Sequence, residues 1–421
     1  MHYKRFDKTK KRFTKVKFSI VLFFFYYLGF GQLVSGSCVH GEGISYLLNA
    51  YLASVGACRC ERSGVLLTSF QKCETGPFVL EFEDNFDGDS LDLNKWELPG
   101  GRGALQGSQN VGVYTLNNIT ITGGSCLLTG KREIITARAV SWEDDSKVLQ
   151  DGLPNLRTFD FTSGMIKTKQ QFFYGKYEVR CRMPSGKGFW PAFWTFGGKR
   201  WNEIDFFDNY AGTNEFVHSL GHDYTGSGSP NGCNFSRKGY DFTKWHTITC
   251  VFDYDKMDVL IDGESVRTVY RVITPTRQPV LCGDDIDYGT YYELMGYPME
   301  PMNILLNLAL MSEKGPGGSV PIDESTPFPS SFEIDYVRFW KRVPALVNIY
   351  PNPCHDKTKV FSNTLIKSVR VCNLAGQTVF YSNPLNTDMF IDLTDQPDGM
   401  YILNVGLEGT SRAIKIVKIS P

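Results

Sequence analysis

The chain has 421 residues, room for two or three folded units at roughly 150 residues each. Its 42% hydrophobic and 21% charged content is that of a globular protein and excludes a disordered or fibrous one. Lys+Arg 44 against Asp+Glu 45 leaves a net charge of -1, so there is no basic field to neutralise phosphates, which argues against nucleic acid as a partner.

Positive charge is concentrated at the start, where Lys4, Arg5, Lys8, Lys10, Lys11, Arg12, Lys15 and Lys17 stand against a single acid, Asp7. An apolar run from Phe18 to Phe30 and the small residues Ser35, Gly36 and Ser37 follow, the three-part layout of a secretory signal peptide. Residues 1–37 are therefore expected to be removed on export. The competing reading, a membrane anchor, needs about 20 uninterrupted apolar residues, and Gly29, Gly31 and Gln32 break this run. No membrane span is expected in the mature chain. Residues 38–76 read as a cysteine-containing leader. The chain holds 11 cysteines, and outside the cytoplasm some disulfides are expected, with pairing that spacing does not fix.

From residue 77 to residue 342, short runs rich in Val, Ile, Phe, Tyr and Thr alternate with Gly, Asn, Asp and Pro, and helical periodicity is missing. The pattern predicts an all-β sandwich. Strands are expected at Gly175–Met183 and His246–Asp253, and a hairpin at Met257–Ile261 and Ser265–Val269, where Asp262-Gly263 supplies the positive φ angles of a tight turn. Beyond Pro344 the composition shifts: residues 345–421 contain no Trp and alternate apolar and polar residues in short runs, which predicts a second, smaller β-sandwich.

The densest chemical signal is Phe189-Trp-Pro-Ala-Phe-Trp194 followed by Trp201-Asn-Glu-Ile-Asp-Phe-Phe-Asp208. In a regular strand Glu203 and Asp205 share a face and Asp208 has the wrong parity. A β-bulge at Phe206-Phe207 would return Asp208 to their face, so that three carboxylates line one groove. Crowded carboxylates raise at least one pKa, which lets a proton donor and an anionic nucleophile coexist; retaining glycoside hydrolysis uses that pair and needs no cofactor. Trp190 and Trp194 are expected to offer flat faces to sugar rings. A solvated sheet face for Glu203 and Asp205, and core packing for the tryptophans, are the plain alternatives. On a strand His218 and His222 share one side, read here as flanking the cleft, with core histidines as the alternative.

These blocks resemble glycoside hydrolase family 16, the jelly-roll β-glucanases and galactanases. The likeness spans roughly residues 77–342: Phe82-Glu-Asp-Asn-Phe-Asp-Gly-Asp-Ser-Leu-Asp-Leu-Asn-Lys-Trp96, Thr162-Ser-Gly-Met-Ile166, Tyr174-Gly-Lys-Tyr-Glu-Val-Arg180, the Trp190 and Glu203 blocks, Asn307-Leu-Ala309 and Phe332-Glu-Ile-Asp-Tyr-Val-Arg338. The resemblance implies a jelly roll of two antiparallel sheets. It makes Glu203 the nucleophile, Asp205 the carboxylate that tunes it and Asp208 the general acid/base, where Glu is usual. It also implies sugar contacts for His218, His222 and Asn110, and a structural calcium at Asp335, with a solvated sheet face as the alternative. Met165 stands where laminarinase-like members often carry Arg. In the tail, Tyr350-Pro-Asn-Pro353, Val371-Cys-Asn-Leu-Ala-Gly-Gln377 and Pro397-Asp-Gly-Met-Tyr401 resemble the C-terminal sorting domain of the type IX secretion system. That implies the type IX machinery as a partner and an exported, released or surface-attached product. The expected activity is endo-hydrolysis of β-1,3-glucan of the laminarin type; a catalytically impaired glycan-binding protein and a hydrolase of agar or carrageenan are the alternatives.

Overall fold

The computed structural model describes residues 61–66, 76–98, 104–105, 109–141, 154–209, 214–223, 231–274, 276, 278–281, 290–294, 296–315, 320–407 and 410–420. The expected signal segment, residues 1–37, lies outside them. So does the stretch read as a leader, except Gly76 and Glu61–Leu66, the latter a strand that pairs with Thr290–Leu294 in a small sheet completed by Val272–Ile273. That part of the leader is thus joined to strands of the main domain.

Strict alternation in the sequence becomes a two-layer sandwich, because each strand can bury only the side chains of one face. One sheet has seven strands, in the order Asn231–Lys238, Glu215–His222, Asn202–Asp208, Phe189–Gly197, Met302–Leu310, Met165–Phe172, Trp96–Glu97. The second is built around Gly175–Arg182, which pairs with His246–Phe252 on one side and Ser330–Arg342 on the other. Tyr177, Val179 and Cys181 from one layer and Phe193, Ile204 and Leu306 from the other meet in one apolar core. The expected all-β jelly roll is the fold found, with one difference: in the second sheet Val113–Tyr114 and Ala104–Leu105 make short parallel pairings with Leu156–Ser163 and Val140–Ser141.

Met302–Leu310 is buried at every position. Its even-numbered apolar side chains enter the core, while the odd-numbered ones form the floor of the opposite face, where Asn303, Leu305, Asn307 and Ala309 lie. The hairpin forms as expected: Asp262 and Gly263 take φ 52 and 84, and Ile261 pairs with Glu264. The five cysteines whose side chains are described, Cys126, Cys181, Cys250, Cys354 and Cys372, are buried free thiols.

The tail forms a three-stranded and a four-stranded sheet around Val360, Ile366, Val371, Ile391, Leu403 and Ile416. Lys418 is drawn inward there, and its ammonium donates to the carbonyls of Leu393 (2.8 Å), Thr394 (3.0 Å) and Gln396 (2.7 Å). Three donors meeting three acceptors is the condition under which burying an ammonium is tolerated.

At the start of the main domain Asp84 ties strand to core: its carboxylate accepts from Trp96 Nε1 (2.7 Å) and from Phe86 N (2.9 Å), and the Trp96 ring is fully buried. Asp84→Ala orphans both donors, and a buried unsatisfied donor costs about 1–3 kcal/mol. Urea denaturation should show a loss of that order, while Asp84→Asn, which keeps one acceptor oxygen, should lose less.

Candidate active site

The strand Asn202–Asp208 carries the irregularity that the parity of its acids requires. Against Phe189–Gly197, Trp194 pairs with Asp205 but Phe193 pairs with Phe207, so Phe206 has no opposite number. On the other edge Asp205 pairs with Ser219 and Asp208 with Val217. Residues directly opposite share a face of the sheet. Ala192, Trp194 and Phe196 face away from the core, and their partners are Asp208, Asp205 and Glu203, so all three carboxylates lie on that outer face.

Hydrophobic burial drives the distortion. Phe206 packs between Tyr177 and Phe193, each with ring centroids at 4.8 Å, and Phe207 packs on Phe242 at 4.9 Å. Two consecutive rings enter the core only if the alternation slips by one residue, and each buried Phe contributes on the order of 1.5–3 kcal/mol.

Each carboxylate has its own donor. Trp201 Nε1 donates to Glu203 Oε2 (2.7 Å), the Ser219 hydroxyl to Asp205 Oδ2, and Trp190 Nε1 to Asp208 Oδ1 (2.8 Å). Burial pushes the Asp208 carboxyl well above the usual carboxylate range, and the nearby charge of Asp205 pushes it further, against the Trp190 hydrogen bond. Asp205 is also raised by burial, with the Ser219 bond opposing. Glu203 is only half-buried. A buried carboxyl with a raised pKa and a more open one therefore share one face, the asymmetry that general-acid and nucleophilic roles require. Beside them Trp194 Nε1 donates to Asn307 Oδ1 (2.7 Å), whose amide reaches the Tyr114 hydroxyl (3.2 Å). Met165 is buried with Tyr114, Trp194 and Leu305 in this floor.

Several expected roles are corrected. His218 and His222 do share a side, but it is the opposite one from the carboxylates: Ser219 lies across from Asp205, which turns residues 218 and 222 inward with Phe216 and Leu220. Even spacing gave them a common face; only the pairing partner said which. His218 Nδ1 donates to the Asp205 carbonyl (2.7 Å) and His222 Nδ1 to the Trp201 carbonyl (3.1 Å). Burial lowers both pKa values, that of His218 to about 3. Trp190 and Trp194 are 7% and 2% exposed, so neither is an open sugar platform; they act through their indole N–H groups and by packing. Asn110 pairs with Met311 beside Trp190; its side-chain Oδ1 accepts from the N–H groups of Gly112 and Leu310, both 2.9 Å, and its Nδ2 is buried without a hydrogen-bond partner among the described residues. Asp335 lies in the other sheet, ion-paired with Arg180. The Arg180 guanidinium thus stands where a cation beside the Asp335 carboxylate would lie.

Trp201 and Ser219 donate to Glu203 and Asp205, contacts that the residue pattern did not single out. Trp201 was legible in principle, since it lies two residues before Glu203 and so on its face. Ser219 was not, because its partner is set by pairing between strands.

Residues 135–280 match the model of glycosyl hydrolases family 16, and residues 348–419 that of a secretion system C-terminal sorting domain. A glucan endo-1,3-beta-glucosidase of Cryptopygus antarcticus is 27% identical over 289 residues, covering 65% of this chain and 96% of its own. A beta-glucanase of Rhodothermus marinus is 25% identical over 284 residues, covering 63% and 85%. A solved structure described as "Prominent members of the human gut microbiota express endo-acting O-glycanases to initiate mucin breakdown" superposes with a TM-score of 0.51 at 23% identity, over 63% of this chain and 91% of that one. That last likeness bears on the fold.

An acid whose pKa is raised on folding binds its proton more tightly in the native state. Stability therefore falls as pH rises from the ordinary carboxylate range through the raised value of Asp208. Asp208→Asn removes that penalty and keeps an acceptor for Trp190. Urea denaturation should show a gain of about 1–3 kcal/mol at pH 7 that vanishes near pH 4.

Proposed function

We propose that this chain, which carries a family 16 glycosyl hydrolase domain and a C-terminal sorting domain, is an exported endo-hydrolase of β-linked glucan acting with net retention. The observation that carries this reading is the set of three carboxyl groups on one sheet face, with the most buried, Asp208, shifted toward its protonated form and Glu203 left more open. Glu203, oriented by Trp201, attacks the anomeric carbon while Asp208 gives its proton to the departing glycosidic oxygen. Asp208, now a carboxylate, then takes a proton from water as the oxygen of that water displaces Glu203 from the sugar. Asp205, between them, keeps Asp208 protonated until the leaving group takes the proton. The reaction needs no cofactor.

A relative named as a glucan endo-1,3-beta-glucosidase and one named as a beta-glucanase, each matched over most of its length, point to β-glucan, and to β-1,3-glucan of the laminarin type as the first substrate to try. The sorting domain makes the type IX secretion machinery the partner in export, with the product attached to the surface or released. A second reading, a glycan-binding protein with impaired chemistry, is favoured by one observation: Asp208 is one methylene shorter than Glu and 5% exposed, pinned by Trp190. Its oxygens retreat by about 1.5 Å, and a misplacement of about 1 Å can cost 10²-fold in rate.

Reducing-end release from laminarin, lichenan, agarose and carrageenan separates the two. Hydrolysis is expected on laminarin, with Glu203→Gln lowering kcat by more than about 10³-fold. Saturable binding without product on any of the four overturns the enzyme. NMR of the first-formed product should show the β-anomer; an α-anomer overturns retention. The rate should fall as pH rises through the Asp208 pKa, since only the protonated acid can donate.

A further inference from the structure

The bulge that turns Asp208 outward sets two residues, Phe206 and Phe207, against one on the neighbouring strand, and that one is His218. An unmatched residue disrupts the ladder and leaves main-chain polar groups without strand partners, in a place where two buried phenylalanines exclude water. The His218 ring is fully buried and supplies what the ladder lacks: its Nδ1 lies 2.7 Å from the Asp205 carbonyl. A carbonyl only accepts, so Nδ1 carries the hydrogen, and the neutral ring presents a bare lone pair at Nε2. That nitrogen is buried and without a hydrogen-bond partner. The charged group beside the ring is Arg267, which donates to the His218 carbonyl (3.5 Å) and whose charge, like burial, disfavours an imidazolium. Leu or Phe would fill the same space between Phe216 and Leu220 with no orphaned nitrogen. A polar ring with one unsatisfied atom in an apolar core is the local inconsistency expected where function outweighs packing.

We propose that His218 is a positioning residue for the reaction, one that holds the bulge from the core side through the Asp205 carbonyl and so keeps Asp208 on the face of Glu203. It touches no substrate. On the cleft side of the same strand its neighbour Ser219 holds the Asp205 carboxylate, so that two consecutive residues grip Asp205 by main chain and side chain from opposite faces. The inference rests on the hydrolase reading only for its consequence in rate; the geometric claim stands apart from it.

Two readouts test it on the full secreted chain. In the first, the carboxyl of Asp208 is titrated by 13C NMR, with Asp208→Asn used to assign the signal. His218→Leu should shift that titration away from its wild-type position, because Asp208 leaves its place beside Asp205 and Trp190. His218→Asn, whose amide N–H falls near the place of Nδ1, should keep it raised. An unchanged titration in His218→Leu overturns the proposal. In the second, His218→Leu should lower kcat on laminarin at least tenfold with KM little changed, and His218→Asn should restore most of the loss; a loss confined to KM, or no rescue by Asn, overturns it. Should His218→Leu fail to fold, His218→Gln decides: its N–H falls near Nε2, away from the carbonyl, so it must lose the wild-type titration that His218→Asn keeps. The same titration in both overturns the proposal. If the wild-type chain cleaves no glycan the hydrolase reading fails, and the titrations still decide the role of His218.

Discussion

Two adjacent phenylalanines on one strand cannot both enter a core unless the strand gives up its alternation, and Phe206 and Phe207 both do. Everything chemical in this protein follows from that slip. Without it Asp208 would point into the sandwich, an unpaired carboxylate among aromatic rings, a state that costs far more than a β-bulge. The apolar gain on one side of the sheet is therefore what assembles the acids on the other.

The acids in turn depend on the layer beneath them. Asp208 is buried opposite Ala192 of the apolar floor, while Trp190 and Ser219 satisfy one oxygen each on Asp208 and Asp205. A dry setting with fixed donors raises a carboxyl pKa without losing orientation. The tryptophans thus act as supports for the acids more than as surfaces for a ligand. Trp201, half-buried and bonded to Glu203, is the least enclosed of the three.

The second sheet and the tail show the same economy with different means. Asp84 and Trp96 close the opening strand on the core, and Lys418 closes the last strand of the tail on three carbonyls. In each case a polar group enters the interior only where its donors and acceptors are matched. His218 breaks that rule by one nitrogen, next to the bulge.

The residue pattern alone determined the sandwich, the hairpin at Asp262-Gly263, the separate β tail and the need for a bulge in Asn202–Asp208, because side-chain alternation and turn chemistry are local properties of the chain. It also placed Glu203 and Asp205 on one face, since parity along a single strand can be counted, and showed that Asp208 joins them only through a bulge. What it could not supply is phase between strands. That His218 and His222 face inward, that Ser219 meets Asp205, that Trp194 is sealed under Tyr114 and Met165, and that Arg180 claims Asp335 all depend on which residue lies opposite which. Register is set by how well whole faces bury against each other, a property of the assembled sandwich that no single strand carries.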